Sequence, residues 1–90
     1  MTERSLQITY RKGRPFAAYL SLSRVTGERR ARTEASADGL LIVDFAADGR
    51  PIGIEITAPG AVTLDRINDV LRHLAQTPLP EVEFDPLRAA

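Results

Sequence analysis

The chain has no cysteine, no tryptophan and one methionine, and its aromatic residues are two tyrosines and three phenylalanines in 90 positions. Without cysteine it has no disulfide frame, no thiol nucleophile and no zinc–thiolate site, a composition that suits a reducing compartment. Long apolar runs are missing too. The strongest is Leu40-Leu41-Ile42-Val43, far short of the roughly 20 residues that a membrane helix needs. The opening Met-Thr-Glu-Arg-Ser leads into no apolar signal-like segment, so the expected setting is cytoplasmic, with no membrane partner. No glycine-rich loop follows a strand and opens a helix, which removes the usual nucleotide-binding signature.

What is present fits one small globular domain, with 43% hydrophobic and 27% charged residues and no room for a second core. A domain of this size buries a smaller share of its surface than a larger one, so pairing with another chain is a natural source of further stability. Net charge is zero, but residues 1–32 carry eight Lys/Arg against two Asp/Glu, and residues 33–90 carry four against ten. Such a split reads either as a nucleic-acid surface or as basic strands lying beside acidic ones, and the second reading is favoured.

The chain is organised around residues 40–56. Leu41, Val43 and Phe45 form one row and Leu40, Ile42 and Asp44 the other, so this strand is apolar on both faces and belongs at the centre of a sheet. Asp48-Gly49 supplies a tight turn, because both residue types tolerate positive φ. Beyond it Ile52, Ile54 and Ile56 alternate with Gly53, Glu55 and Thr57, giving a clear inside. Upstream, Leu6, Ile8 and Tyr10 are expected to face the core from a first strand. A basic loop at Arg11-Lys12-Gly13-Arg14-Pro15 follows, then a second strand over 16–23 with Phe16, Ala18, Leu20 and Leu22 on one side. A turn at 25–28 leads to a polar edge strand over 29–35. Short connections between successive strands imply an antiparallel meander.

After Ala58-Pro59-Gly60 the period lengthens. Leu64, Ile67, Val70, Leu71 and Leu74 fall three and four residues apart, with Thr63 as N-cap and Asp65 in the first turn, which predicts an amphipathic helix over 64–76 stopped by Thr77-Pro78. The expected class is α+β: an antiparallel β-meander of about five strands with one C-terminal amphipathic helix packed on one sheet face. Residues 1–77 form this domain and residues 78–90 an extended, proline-containing tail, whose Val82 and Phe84 either fray or dock on the chain itself or on a neighbour.

The strand ending in Tyr10, the segment Ala18-Tyr19-Leu20-Ser21-Leu22, and Asp38-Gly39-Leu40-Leu41-Ile42-Val43-Asp44-Phe45 running into Asp48-Gly49-Arg50-Pro51-Ile52-Gly53-Ile54-Glu55-Ile56 resemble domain of unknown function 2283, a family of small, mostly bacterial proteins. The resemblance covers residues 6–58 and departs from the family at Arg11-Lys12-Gly13-Arg14, where members have an acidic loop. It implies a meander with a helix, no assigned activity, and an antitoxin-like or partner-binding role.

Candidate chemistry is sparse. His73 stands four residues after Asp69, a spacing that suits a polar pair on one helix face better than an acid–base site, since no nucleophile accompanies it. Asp44, Asp48 and Glu55 follow no calcium-loop pattern, and Gly53 suits close packing of strands. No catalytic residue, cofactor or metal is therefore assigned, and the chain is read as a non-enzyme. A single helix would leave Tyr19, Leu40 and Ile42 uncovered on the second sheet face. These three, with Phe84, are the candidate interface of a self-associating protein-interaction module, expected as a homodimer with room for a small protein partner. The alternative is a nucleic-acid-binding domain that uses the arginine-rich N-terminal strands, with Tyr10 and Tyr19 as stacking groups.

Overall fold

Alternation of apolar and polar residues produces five strands in the computed structural model, which describes residues 4–22 and 27–89. They are β1 (Ser5–Arg11), β2 (Arg14–Ser21), β3 (Arg32–Ala35), β4 (Leu41–Phe45) and β5 (Pro51–Ile56). All pair antiparallel in one sheet ordered β1-β2-β5-β4-β3. The α+β class and the strand number are as expected, whereas the order is not that of neighbours in sequence. Leu22 donates its N–H to Ile52 O at 3.1 Å, Glu28 pairs with Arg50, and β3 then enters opposite Phe45. The residues with the highest β-content, β4 and β5, thus take the inner positions, and the polar β3 closes one edge. The expected turn at 25–28 lies partly outside the described residues, as does the expected end of the second strand at Ser23.

The β4–β5 connection is wider than a two-residue turn. Gly49 donates to Ala46 O at 2.9 Å, Gly49 alone has positive φ (89°), and the Asp48 carboxylate accepts from Arg50 N at 3.0 Å. The β3–β4 connection repeats this design. Gly39 (φ 73°) donates to Ser36 O at 2.9 Å and Asp38 accepts from Leu40 N at 3.1 Å. Both turns read Ala-Asp-Gly, with the aspartate bonding the main chain two residues on and glycine taking the left-handed position.

Helix α1 (Leu64–His73) starts as expected, with Thr63 Oγ1 accepting from Arg66 N at 3.2 Å and Asp65 in the first turn. It ends three residues early. Ala75 adopts φ 58°, so that Gln76 N–H reaches Leu71 O at 2.8 Å and Ala75 N–H reaches Arg72 O at 3.0 Å, an αL cap built on alanine in place of glycine. Ile67 and Leu71 are fully buried against Leu20, Leu41, Ile54 and Ile56.

The tail is not extended. Glu81–Phe84 forms one helical turn, α2, and Asp85–Ala89 a 3₁₀ segment, with Leu79, Phe84 and Leu87 all buried in the same core. Prolines at 80 and 86 mark turn boundaries here, since Pro80 stands at the N-cap, where a missing N–H costs nothing. Asn68 fastens the tail to α1. Its buried side chain donates to Leu79 O at 3.1 Å and accepts from Leu79 N at 2.7 Å, so the amide stands in for a pairing strand.

Candidate interaction surfaces

Among the described residues α1 and the tail lie on one side of the sheet, because the side chains packed on them come from Leu20, Leu22, Leu41, Val43, Ile54 and Ile56. The opposite face carries Gln7, Thr9, Ala17, Tyr19, Ser21, Gly53, Glu55, Ile42, Asp44, Thr33 and Ala35 by strand register. Tyr19 and Ile42 are half-buried there, flanking Glu55, which pairs with both.

Tyr19 is held by a specific construction. Its hydroxyl donates to Asp44 Oδ2 at 2.8 Å across Gly53, where an added Cβ would lie 1.8 Å from the phenolic oxygen. Arg30 stands 3.7 Å from Asp44 Oδ1, giving this buried carboxylate a cation as well as a hydroxyl. Gly53 is therefore present for close packing, by a tyrosine of the same chain.

Two of the expected interface residues are used internally. Phe84 is 5% exposed and belongs to the chain's own core, which overturns its placement on a contact surface. Leu40 is half-buried and packs against the same core, because the turn before β4 folds it inward. Tyr19 and Ile42 stay on the open face. Asp69 bonds Arg72 at 3.1 Å and not His73, so the expected helix pair has a different partner. Among the described residues no cluster of three metal-ligating side chains occurs. None of their helices is long and apolar enough to cross a membrane.

A groove of about 650 Å³ runs between α1 and β3–β4. Leu41, Val43, Phe45, Val70 and Leu74 form its floor, and Arg32, Glu34, Arg66, Asp69 and His73 its rim. Arg32 lies over the Phe45 ring at 4.0 Å and bonds Glu34 at 2.8 Å. Across the groove's end Arg66 grips Asp38 through two bonds of 2.8 and 3.0 Å, tying α1 to the β3–β4 turn. That grip, assisted by Ser36 and the Leu40 N–H, holds the Asp38 carboxyl well below the usual carboxylate range.

β3 forms the free edge beside this groove, and all four of its residues are exposed. Ser36 N–H donates to Leu41 O at 2.8 Å. Ladder bonds recur at alternate residues, so Arg32 and Glu34 turn their main chain toward β4 while Thr33 and Ala35 turn theirs outward. The sequence signal was available in residues 31–35, Ala-Arg-Thr-Glu-Ala, which reads the same in chemical character from either end about Thr33 apart from the opposite charges.

Much of the charge split is resolved by pairing. Arg4 meets Glu83, Arg30 meets Asp44 and Arg32 meets Glu34, each joining a cation of residues 1–32 to an acid of residues 33–90. Comparison with family models, with curated proteins and with solved structures returns no match to this chain.

Proposed function

We propose that this chain is a protein-interaction module without chemistry of its own, which pairs with a second copy of itself through the β3 edge. The single observation that carries the reading is the self-complementarity of residues 31–35 on a free edge strand. In an antiparallel pairing centred on Thr33, that residue exchanges two main-chain bonds with the partner's Thr33. Arg32 then faces the partner's Glu34, and Glu34 the partner's Arg32. Each opposite-charge pair contributes about 0.2–1 kcal/mol. The paired segment is short, so the dimer is weak and concentration-dependent, of the transient size class. Ile42 lies next to Ala35 on the open face and extends the contact from there. The resemblance to domain of unknown function 2283 belongs to the same proposal, as does a small antitoxin-like partner that adds its own strand at this edge.

Sedimentation velocity tests the pairing. Thr33→Pro removes an outward N–H that β4 does not use, so the variant folds and sediments as a monomer where the wild type associates. Glu34→Arg sets arginine against arginine and weakens association, and Arg32→Glu with Glu34→Arg restores it. A wild type that is monomeric at high concentration, or a Thr33→Pro variant that still dimerises, overturns the reading.

A further inference from the structure

The arginine-rich strands do not offer one continuous basic surface. Among the described residues seven arginines form ion pairs with carboxylates: Arg4, Arg30, Arg32, Arg50, Arg66, Arg72 and Arg88. Among the described residues the cations outside such pairs are Arg11, Lys12, Arg14 and Arg29, and three of these stand together at the β1–β2 turn. The turn sits on a projection. β2 pairs with β5 only over Ala18–Ser21, so residues 14–17 have β1 alone as a strand partner and form a two-stranded ribbon, in which Pro15 is buried while Arg14 and Phe16 are exposed.

The same ribbon carries the exposed aromatics. Tyr10 and Phe16, expected to face the core, are 57% and 52% exposed. The register shifts between Thr9 and Tyr10, Tyr10 pairs with Pro15, and Phe16 is left in the bulge past the last β5 partner. Arg11 lies 5.2 Å from the Phe16 ring centroid, a cation–π distance. Lys12 and Gly13 hold φ of 53° and 78°, the pair of positive values that makes a tight hairpin turn, so the cations are displayed from a set backbone.

We propose that this projecting tip binds single-stranded nucleic acid, with Arg11, Lys12 and Arg14 meeting phosphates while Tyr10 and Phe16 stack on bases. A stacking platform beside a cluster of cations is what an unpaired strand requires, and every base offers a face to stack. An anionic bilayer fits the geometry less well. The apex is Lys12-Gly13 and the aromatics are set back along the ribbon, so inserting the rings would first bury the cations. A strand lying along the ribbon's side meets both.

The test uses the full chain and labelled oligonucleotides of about 15 nucleotides, oligo-dT and oligo-U in separate arms, followed by fluorescence anisotropy between about 50 and 200 mM salt. Three phosphate contacts give a slope of log affinity against log salt of about −2, a loss of roughly 20-fold across that range. Lys12→Gly with Arg14→Ala brings the slope to about −0.7. Phe16→Ala and Tyr10→Ala each weaken binding by about tenfold with the slope unchanged. Arg72→Ala, an ion-paired arginine on α1, leaves binding as it was. Thermal melting of each variant establishes that the fold is intact. No binding at 50 mM salt overturns the proposal, as does a double-charge variant with wild-type slope. Heparin binding combined with silent aromatic variants reduces the tip to a general polyanion site and overturns it. Binding to phosphatidylserine vesicles in place of either oligonucleotide assigns the tip to membranes and overturns it equally.

Discussion

Gly53 carries no side chain because Tyr19 occupies that space, and the phenol reaches Asp44 only while it does so. Gly53→Ala is expected to push the ring aside and cost about 1–3 kcal/mol in urea unfolding. The same substitution in a Tyr19→Ala background should cost much less, so a double-mutant cycle with no coupling would sink the account. At Asn68 one amide satisfies both main-chain groups of the buried Leu79. Removing it in Asn68→Ala leaves a donor and an acceptor without partners in the core, an expected loss of about 2–4 kcal/mol by the same measurement. Asp38 is one residue through which pH acts. Its folded-state pKa is depressed, first by Arg66, so it contributes stability at every pH above the ordinary carboxylate range. That contribution is lost as pH falls from roughly 5 toward 3 and below. Asp38→Asn should flatten the decline in melting temperature over this interval, and an unchanged pH profile would remove Asp38 from the explanation.

Among the elements, α1 shows most plainly where local preference and tertiary structure part. Its start was legible, because Thr63, Asp65 and the apolar spacing all point to one boundary. Its end was not, since the cap at Ala75 places an alanine where glycine is the ordinary choice and leaves Thr77-Pro78 outside the helix. An L side chain at φ 58° is strained by about 1 kcal/mol. Ala75→Gly is therefore expected to raise stability by that amount, and a neutral or destabilising result in thermal melting would show the cap to be misread. The tail's backbone departs from the expected extended chain for a related reason, while Phe84 docks on the chain itself, one of the expected outcomes. Two prolines in a short segment suggest extended chain, but Pro80 at an N-cap starts a helical turn as readily as it stops one, and the apolar pair then separates. Phe84 enters the core and Val82 stays 72% exposed.

For the whole molecule, the two proposed surfaces lie at opposite edges of one sheet, β3 at one end of the strand order and β1–β2 at the other. Pairing through β3 therefore leaves both tips free, and a dimer offers two of them. Because association stabilises the folded chain by mass action, the wild-type melting temperature should rise with protein concentration while that of Thr33→Pro stays constant. A concentration-independent wild type would count against the pairing.

The sequence by itself determined the five strands, their faces, the helix and its N-cap, because each rests on a local period or a local bond. Ile52, Ile54 and Ile56 have an inside whatever their neighbours are. Only the tertiary structure decided the strand order, since that depends on contacts between residues far apart in sequence, such as Glu28 meeting Arg50. It also decided which residues of a mixed pattern are used. Tyr10 and Phe16 share the parity of core residues, yet they lie where β2 has outrun β5 and stay more than half exposed. Periodicity fixes the direction in which a side chain points. Burial depends as well on what stands opposite, and that is set by long-range packing.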